Sequence, residues 1–269
     1  MNAPLPELLH HHPWLITPEA HASLNDLVAN SLKAAAGAGE GKQDGPDAEV
    51  DDGLAVIPLQ GVMLRRPDPI ARFFGATDTE TIREAVDLAT GDRSVGAILL
   101  DIDSPGGSIN GTPELAAAVR NAAARKPVYA FSAGMMCSAA YWVGSQADAL
   151  YAAPSARVGS IGVLLPVVDR SEAFAKAGVK VEVFAAGKFK GAGVPGTSLT
   201  DDQRAWLQQG VEETWAQFKD AVRSRRDVAN GAMEGQHFAA GSALGHGLLS
   251  GLTDTRAEVK RRIRFRHLG

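Results

Sequence analysis

The residue best suited to chemistry in this sequence is Ser138, which lies in the segment Gly134–Trp142 between an apolar run and a stretch of small residues. The run Val128–Phe131 is typical of a strand that is buried on both faces of a parallel sheet. After the turn, Ala139 and Ala140 keep the start of a helix slim, so that its unpaired N–H groups can approach an anion. A serine beside such donors is what acyl transfer requires, and we interpret Ser138 as a nucleophile.

Two alternatives stay open on the local sequence. Serine is a preferred N-cap residue, so Ser138 by itself also fits an ordinary buried helix cap. Cys137 is the only cysteine of the chain and, being adjacent, it is a second candidate nucleophile. A single cysteine also excludes an intramolecular disulfide and fits a reducing compartment.

The base that takes the serine proton is the next requirement, because a serine hydroxyl is a weak nucleophile at neutral pH. The predicted strand ends carry no histidine, and the sequence contains no Gly-x-Ser-x-Gly motif. A buried lysine can serve instead, since desolvation favours its neutral form. Lys190 follows an apolar run and lies among glycines and alanines, with Lys188 as its competitor. Either lysine also fits an ordinary exposed loop.

Backbone donors for a tetrahedral intermediate are the second requirement, and each such donor is worth about 3 kcal/mol. Gly106 and Gly107 follow a predicted strand, Val95–Ile102, and leave their N–H groups unshielded. The N–H of Ala139 would lie next to the nucleophile. The turn 104–107 alone is only a favourable turn sequence, but two such motifs at strand ends predict one shared site.

The order of predicted elements is strand, helix, strand, helix, strand, which favours an α/β fold with a mostly parallel sheet and flanking helices. In such folds the site lies at the carboxyl ends of the strands. A capping box from Thr200 to Gln203 begins a long helix, whose apolar stripe predicts burial of Leu207, Val211, Phe218 and Val222. Further short strands are predicted at 54–59, 149–152, 158–164 and 179–184.

Composition divides the chain into four parts. Residues 1–35 predict an N-terminal helical arm, with Thr17 as N-cap and Pro18 at the first helical position. Residues 36–53 are rich in Gly, Asp and Glu and predict a flexible linker. Residues 54–254 predict the catalytic domain, and residues 255–269 a basic C-terminal helix or tail.

Charge and hydropathy limit the classes of partner. A net charge of -4 with 22% charged residues predicts no general attraction to nucleic acid. No apolar run approaches the roughly 18 residues of a spanning helix, and the N-terminus lacks a signal pattern, so we expect no membrane span and a cytoplasmic location. His10, His11 and His12 are adjacent and lack further ligands at metal spacing, so neither a metal nor a cofactor is expected.

Four segments together resemble the signal peptide peptidase A family of serine peptidases, which shares the Clp protease and crotonase type of fold. The resemblance covers about residues 54–254 and rests on Asp103–Gly107, Ser138–Tyr141, Arg157–Val163 and Gly187–Lys190. Carried over by position, it implies that Ser138 is the nucleophile and Lys190 the general base. It also implies that Ser160 hydrogen-bonds the lysine amine and that Gly107 and Ala139 form the oxyanion hole.

The function that this resemblance implies is a serine endopeptidase with a Ser-Lys catalytic dyad. The family includes proteases of tailed phages and prophages that cut scaffold and capsid proteins during head maturation, and the N-terminal arm without a membrane anchor favours this type. The implied partners are a polypeptide substrate, further copies of the chain in a homo-oligomer, and capsid or scaffold proteins within a procapsid. The alternatives are a cytoplasmic signal peptide peptidase A-like enzyme that degrades peptides, and a non-hydrolytic crotonase-like or scaffold protein.

The long helix after Thr200 is the candidate for the contact between copies. Trp206 and Trp215 lie partly off its apolar stripe, and aromatic residues on a charged helix are candidate interface anchors. The alternative is that both widen the stripe that faces the core.

Overall fold

The computed structural model describes residues 14–16, 48–73 and 75–268. Within these ranges the strands are β1 (Trp14–Ile16), β2 (Glu49–Asp51), β3 (Leu54–Gln60), β4 (Met63–Leu64), β5 (Thr77–Asp78), β6 (Ala97–Asp103), β7 (Gly106–Ser108), β8 (Val128–Ser132), β9 (Met135–Cys137), β10 (Ala149–Ala152), β11 (Arg157–Gly159), β12 (His237–Ala239) and β13 (Gly251–Leu252). The helices are α1 (Pro69–Phe73), α2 (Thr79–Gly91), α3 (Thr112–Ala123), α4 (Ala139–Gly144), α5 (Ser171–Lys176), α6 (Asp201–Arg223), α7 (Ala240–Gly245) and α8 (Arg256–His267), with a 3-10 turn at Asn230–Ala232.

The main sheet has six strands in the order β13-β10-β8-β6-β3-β2. All its neighbours are parallel except β2, which pairs antiparallel with β3. The longest pairing joins β3 to β6, with Leu54 opposite Ala97 and Gln60 opposite Asp103. The central strands are continuous apolar runs because helices cover both faces of the sheet. The predicted α/β fold with a mostly parallel sheet is therefore confirmed.

Two smaller sheets continue from the carboxyl ends of the central strands. One has the order β1-β7-β4-β5 and the other β12-β11-β9. Strand β7 follows β6 and strand β9 follows β8, and a parallel bridge joins Ser104 to Met136 between these two extensions. The predicted Gly-Gly turn and the predicted serine turn thus lie side by side at one edge of the main sheet.

The two faces of the main sheet have separate apolar clusters. Helices α2 and α3 pack together on one face, where Ile82, Val86, Leu115 and Val119 join the larger cluster. Helix α8 covers the other face, where Val259 and Ile263 pack with Leu54, Val56, Leu99, Tyr129 and Phe131. Among the described residues, no helix combines the length and the apolar character needed to cross a membrane.

The capping box of α6 is present as predicted. Thr200 Oγ1 accepts from the N–H of Gln203 at 3.2 Å, and Gln203 Oε1 accepts from the N–H of Thr200 at 3.0 Å. The predicted stripe is buried only in the last turns of α6, at Phe218 and Val222. Leu207 and Val211 are half-buried, so the described residues cover the apolar side of the first half of the helix only in part.

Several expected elements differ in the structure or lie outside the described residues. The predicted arm helix at Thr17 falls outside them, as does most of the 36–53 segment. The described end of that segment is not a linker, because Glu49–Asp51 form β2 and pair with β3. Val179–Phe184 forms no strand: among the described residues it pairs with no other strand, and most of its side chains are exposed. The strand predicted at 158–164 ends at Gly159.

Arg226 fixes the loop that follows α4, and we expect its loss to destabilise the fold. The guanidinium donates to the carbonyls of Ser145, Ala147 and Asp148 and to the hydroxyl of Ser250, and burial lowers its pKa. Arg226→Gln takes this donor from the carbonyls of buried Ser145 and Ala147, so the free energy of unfolding in urea should fall by about 2 kcal/mol. The exposed Arg223→Gln should change it by less than about 0.5 kcal/mol, and equal losses in both variants would contradict this assignment.

Candidate active site

Ser138 occupies a strained turn between β9 and α4. Its backbone has φ 55 and ψ -122, a region that costs a non-glycine residue on the order of 1–3 kcal/mol. The turn is held from two sides: the N–H of Ser138 donates to Gly159 O at 2.7 Å, and its carbonyl accepts from Trp142 N at 2.9 Å. Backbone strain of this kind persists where the surrounding structure enforces it. A strained turn between a strand and a helix is also the geometry that presents a nucleophile at the top of a sheet.

The Ser138 side chain makes no capping bond, which argues against the ordinary N-cap interpretation. Ser138 is the N-cap residue of α4, yet no side-chain hydrogen bond caps the helix. The residue is 1% exposed, and its Oγ has no hydrogen-bond partner among the described residues. A buried unpaired hydroxyl costs about 1–3 kcal/mol, so a stabilising role does not account for a serine here.

Cys137 lies one residue earlier and is fully buried within β9. Its Sγ contacts the carbonyl of Arg157 at 3.5 Å, and its backbone pairs with Gly159 in β11. Successive side chains of a strand point to opposite sides. The thiol is therefore packed into the sheet, and Ser138 is the better placed of the two candidate nucleophiles.

Gly107 and Ala139, the predicted oxyanion donors, lie on elements that pack together. Gly107 is the middle residue of β7, and β7 packs against α4, whose first residue is Ala139. A Cβ built on Gly107 would lie 1.9 Å from the carbonyl oxygen of Met63. Only glycine lets β7 approach β4 so closely, which explains this residue type independently of any catalytic role.

Asp103 positions the turn before the nucleophile, a role that we did not predict from the sequence. Its Oδ1 accepts from the N–H of Met135 at 2.9 Å. A Cβ on Gly134 would lie 2.4 Å from the same oxygen, so glycine at this position lets the carboxylate reach the backbone. A charged residue at the end of a buried strand is the signal that could have identified it.

Ser160, the predicted partner of the lysine, follows the strand next to the nucleophile. Strand β11 pairs in parallel with β9, with Gly159 opposite Cys137, so Ser160 directly follows the residue whose carbonyl holds Ser138. Ser160 is 4% exposed, has φ 55, and donates its N–H to Gln236 O at 2.9 Å. It lines a cavity of about 720 Å³ whose other walls include Val163, Val211, Trp215, Lys219 and Glu234.

The predicted base makes no hydrogen bond to the predicted nucleophile. Lys190 is exposed, on a segment in which residues 182–190 are all exposed. Its competitor Lys188 forms an ion pair with Asp202 at 2.7 Å. Ser138 Oγ has no hydrogen-bond partner among the described residues, whereas the backbones of Ser138, Ala139, Gly107 and Ser160 lie on adjoining elements.

The sequence profile of Peptidase family S49 matches residues 120–263, which is more than half of the chain. The chain belongs to Peptidase family S49. The matched part runs from α3 to α8 and contains Ser138, Ser160 and Lys190, whereas Gly107 precedes it. The resemblance to a family of serine peptidases is thus confirmed at the level of the family.

Three similar proteins illustrate the range of S49 relatives. Capsid assembly protease C of Escherichia phage lambda is 32% identical over 200 residues, which cover 74% of this chain and 46% of that protein. Head-tail preconnector protein GP5 of Enterobacteria phage P21 is 29% identical, with coverage of 80% and 42%. The putative signal peptide peptidase SppA of Enterococcus faecium is 25% identical, with coverage of 59% and 47%. The chain thus spans less than half the length of these relatives.

Lys219 is a lysine beside Ser160 that the sequence analysis did not single out. It lines the cavity beside Ser160, and its Nζ lies 3.2 Å from the centroid of the Trp215 ring. The Trp215 indole is fixed in turn by donating to the carbonyls of Ile161 and Met233. Lys219 therefore packs on the Trp215 ring in a cation–π contact.

Proposed function

We propose that this chain is a serine endopeptidase in which Ser138 is the nucleophile and Lys190 its general base. The observation that carries the proposal is the buried, strained Ser138, whose Oγ is unpaired among the described residues, inside a match to a family of peptidases. A hydroxyl without a hydrogen-bond partner has none to give up when a substrate carbonyl reaches it. Its neighbours supply backbone donors where negative charge would form.

The proposed reaction proceeds in two acyl-transfer steps. Ser138 Oγ attacks the scissile carbonyl while neutral Lys190 Nζ takes the hydroxyl proton, and the N–H groups of Gly107 and Ala139 stabilise the resulting oxyanion. Collapse breaks the C–N bond, and the lysine returns the proton to the leaving amine. Water then attacks the acyl-enzyme with the lysine again as base, which releases the acid and regenerates Ser138.

The proposal requires Lys190 to move onto Ser138. Residues 182–190 are exposed, and such a closure would exchange their surface contacts, the Lys188–Asp202 ion pair and the Phe189–Trp206 stack, for contacts at the site. Closure would also take the amine out of water, and desolvation favours the neutral amine that a general base must be. Ser160, buried next to the nucleophile, would then accept a hydrogen bond from the amine and orient it.

Labelling with a fluorophosphonate tests the nucleophile directly. We expect the probe to modify the wild-type chain on the peptide that contains Ser138, as mapped by mass spectrometry, and to leave Ser138→Ala unlabelled. Modification of Cys137 in either protein would move the nucleophile to the cysteine. A wild-type chain that takes no label at saturating probe would support the non-hydrolytic alternative.

The proposed substrates are capsid or scaffold proteins of a phage head. The support is the similarity to a capsid assembly protease and a head-tail preconnector protein. Co-expression with the capsid and scaffold genes adjacent to this gene, followed by mass spectrometry, should give discrete cleavage products that disappear with Ser138→Ala. Unspecific degradation of every added polypeptide would favour the peptide-degrading alternative.

Self-assembly is part of the proposal. Large apolar side chains are exposed on the 162–200 segment and on α6, including Phe184 at 93% and Trp206 at 47% exposure, and the Trp206 ring stacks on Phe189. Trp215 instead bonds inward, so of the two predicted anchors only Trp206 is available.

We expect multi-angle light scattering at micromolar concentration to give a mass several times the 28.2 kDa of one chain. Trp206→Glu should shift that mass toward the monomer, because a charge at the centre of an interface is poorly tolerated. The matched change Gln209→Glu, on an exposed position of the same helix, should not. A wild-type protein that is only monomeric would remove this part of the proposal.

A further inference from the structure

Strand β1 lies on the edge of the sheet that carries a proposed oxyanion donor. Trp14–Ile16 pairs antiparallel with Gly106–Ser108, in a register that sets Trp14 opposite Ser108, Leu15 opposite Gly107 and Ile16 opposite Gly106. Strand β7 has β4 on its other side. Within the described residues, β1 is therefore the edge strand, and it covers the side of β7 that would otherwise be open to another chain.

The position of this edge determines what it can bind. Strand β7 packs against α4, the helix that begins directly after Ser138. A polypeptide that presents a carbonyl to Ser138 and to the Gly107 N–H must run along this edge in an extended conformation. Backbone pairing of an added strand supplies affinity with little demand on side chains, which suits both a substrate and the chain's own Trp14–Ile16.

We propose that Trp14–Ile16 is an internal pseudosubstrate, which occupies the peptide-binding edge of β7 and must leave before a polypeptide can bind there. The consequence for hydrolysis rests on the proposed function. The exchange of strands is a separate binding event that does not require Ser138 to react.

The length of β1 fits a displaceable competitor. Within the described residues, three residues of this strand pair with β7, and a pairing this short is marginal by itself. A tethered segment nevertheless competes at an effective concentration of roughly millimolar, so a free peptide must bind well to displace it. The resting protein should accordingly bind peptides weakly, and holding β1 in place or removing it should change peptide affinity in opposite directions.

A disulfide that holds β1 on β7 tests whether keeping this strand in place weakens peptide binding. Directly opposite residues of an antiparallel pair have Cα atoms about 4.5–5.5 Å apart, within the range that a disulfide spans, so Trp14→Cys with Ser108→Cys should crosslink on oxidation. The probe is a fluorescein-labelled peptide of residues 11–18, measured by fluorescence anisotropy on the full chain carrying Ser138→Ala. We expect the oxidised protein to bind it at least about tenfold more weakly than the reduced protein.

The single-cysteine variants serve as matched controls, because buried Cys137 is present in all of them. Their affinity should not change on oxidation. Equal affinities of the oxidised and reduced double variant, absence of binding by both, or failure of the two thiols to pair would each overturn the proposal.

Proline substitution in β1 tests whether weakening this strand strengthens peptide binding, and it does not depend on the crosslink. Successive N–H groups of a strand point to opposite sides, so one of Leu15→Pro and Ile16→Pro removes a donor to β7. That variant should bind the probe about tenfold more tightly than the parent, and unchanged affinity in both would overturn the proposal. Redox-switched binding in a protein whose Ser138 form hydrolyses no peptide would refute the proposed function and leave the strand exchange standing.

Discussion

Ser138→Ala is expected to lower kcat/KM on a peptide substrate by about four orders of magnitude or more, because covalent catalysis has no substitute for the attacking oxygen. The fold should be unaffected. The backbone at position 138 keeps its φ of 55, and the change removes an oxygen that has no hydrogen-bond partner among the described residues. Urea unfolding should give a free energy equal to that of the wild type or up to about 1 kcal/mol higher.

Cys137→Ala is the matched control for this experiment. It removes a buried sulfur one residue away and should cost stability rather than chemistry, with kcat/KM within about tenfold of the wild type. If Ser138→Ala retained turnover and Cys137→Ala lost it, the cysteine would be the nucleophile. If both variants lost activity while both remained folded, the two residues would have to act together.

Lys190→Arg is expected to abolish hydrolysis although it keeps the positive charge and nearly the length of the side chain. A guanidinium does not give up its proton in proteins, so it cannot act as a general base. We expect a loss of at least about a thousandfold in kcat/KM, with peptide binding retained in the anisotropy assay. An active Lys190→Arg enzyme would overturn the Ser-Lys dyad.

Three further variants separate the base from its neighbours. Lys188→Ala removes an exposed ion pair with Asp202 and should lose little activity. Lys219→Ala removes a cavity-lining lysine that lies over Trp215 and should affect substrate binding more than turnover. Ser160→Ala should fall between these and Lys190→Arg, since it removes a hydrogen bond that orients the amine and leaves the base in place. A greater loss for Lys188→Ala than for Lys190→Ala would reassign the base.

Mixing two inactive variants tests whether the proposed Ser138 and Lys190 of one site come from the same chain or from two copies. Ser138→Ala and Lys190→Ala each lack one member of the dyad, and neither should hydrolyse peptide alone. Activity that returns on mixing would mean that Lys190 of one copy acts on Ser138 of another, whereas continued inactivity would keep both residues within one chain. The exposed position of residues 182–190 makes this comparison informative.

The sequence predicted the elements that local pattern determines. The apolar runs at Leu54 and Val128 form central strands, the capping box at Thr200 begins α6, and Ser138 forms a tight turn. In each case the residues that specify the element lie within it or next to it in the sequence. The membership of a serine peptidase family followed from four such local segments read together.

The elements that the sequence did not predict depend on distant partners. Val179–Phe184 has the composition of a strand but pairs with no other strand among the described residues. The described part of β1 is three residues long, and its partner β7 lies far along the chain. Whether the exposed Lys190 can reach Ser138, as we propose, likewise depends on packing between distant segments, which neither spacing nor residue type determines.

The placement of α8 has a consequence for the order in which this protein can mature during synthesis. Its Val259 and Ile263 pack on Leu54, Leu99 and Tyr129, which belong to strands made much earlier. Until α8 has left the ribosome, the described strands of the main sheet lack this helix on one face, while the segments around Ser138 have already emerged. Contacts between residues so far apart in sequence form slowly. We therefore expect the turn that carries the proposed nucleophile to be synthesised before both faces of the sheet can pack, so that the proposed site is complete only after α8 has been made.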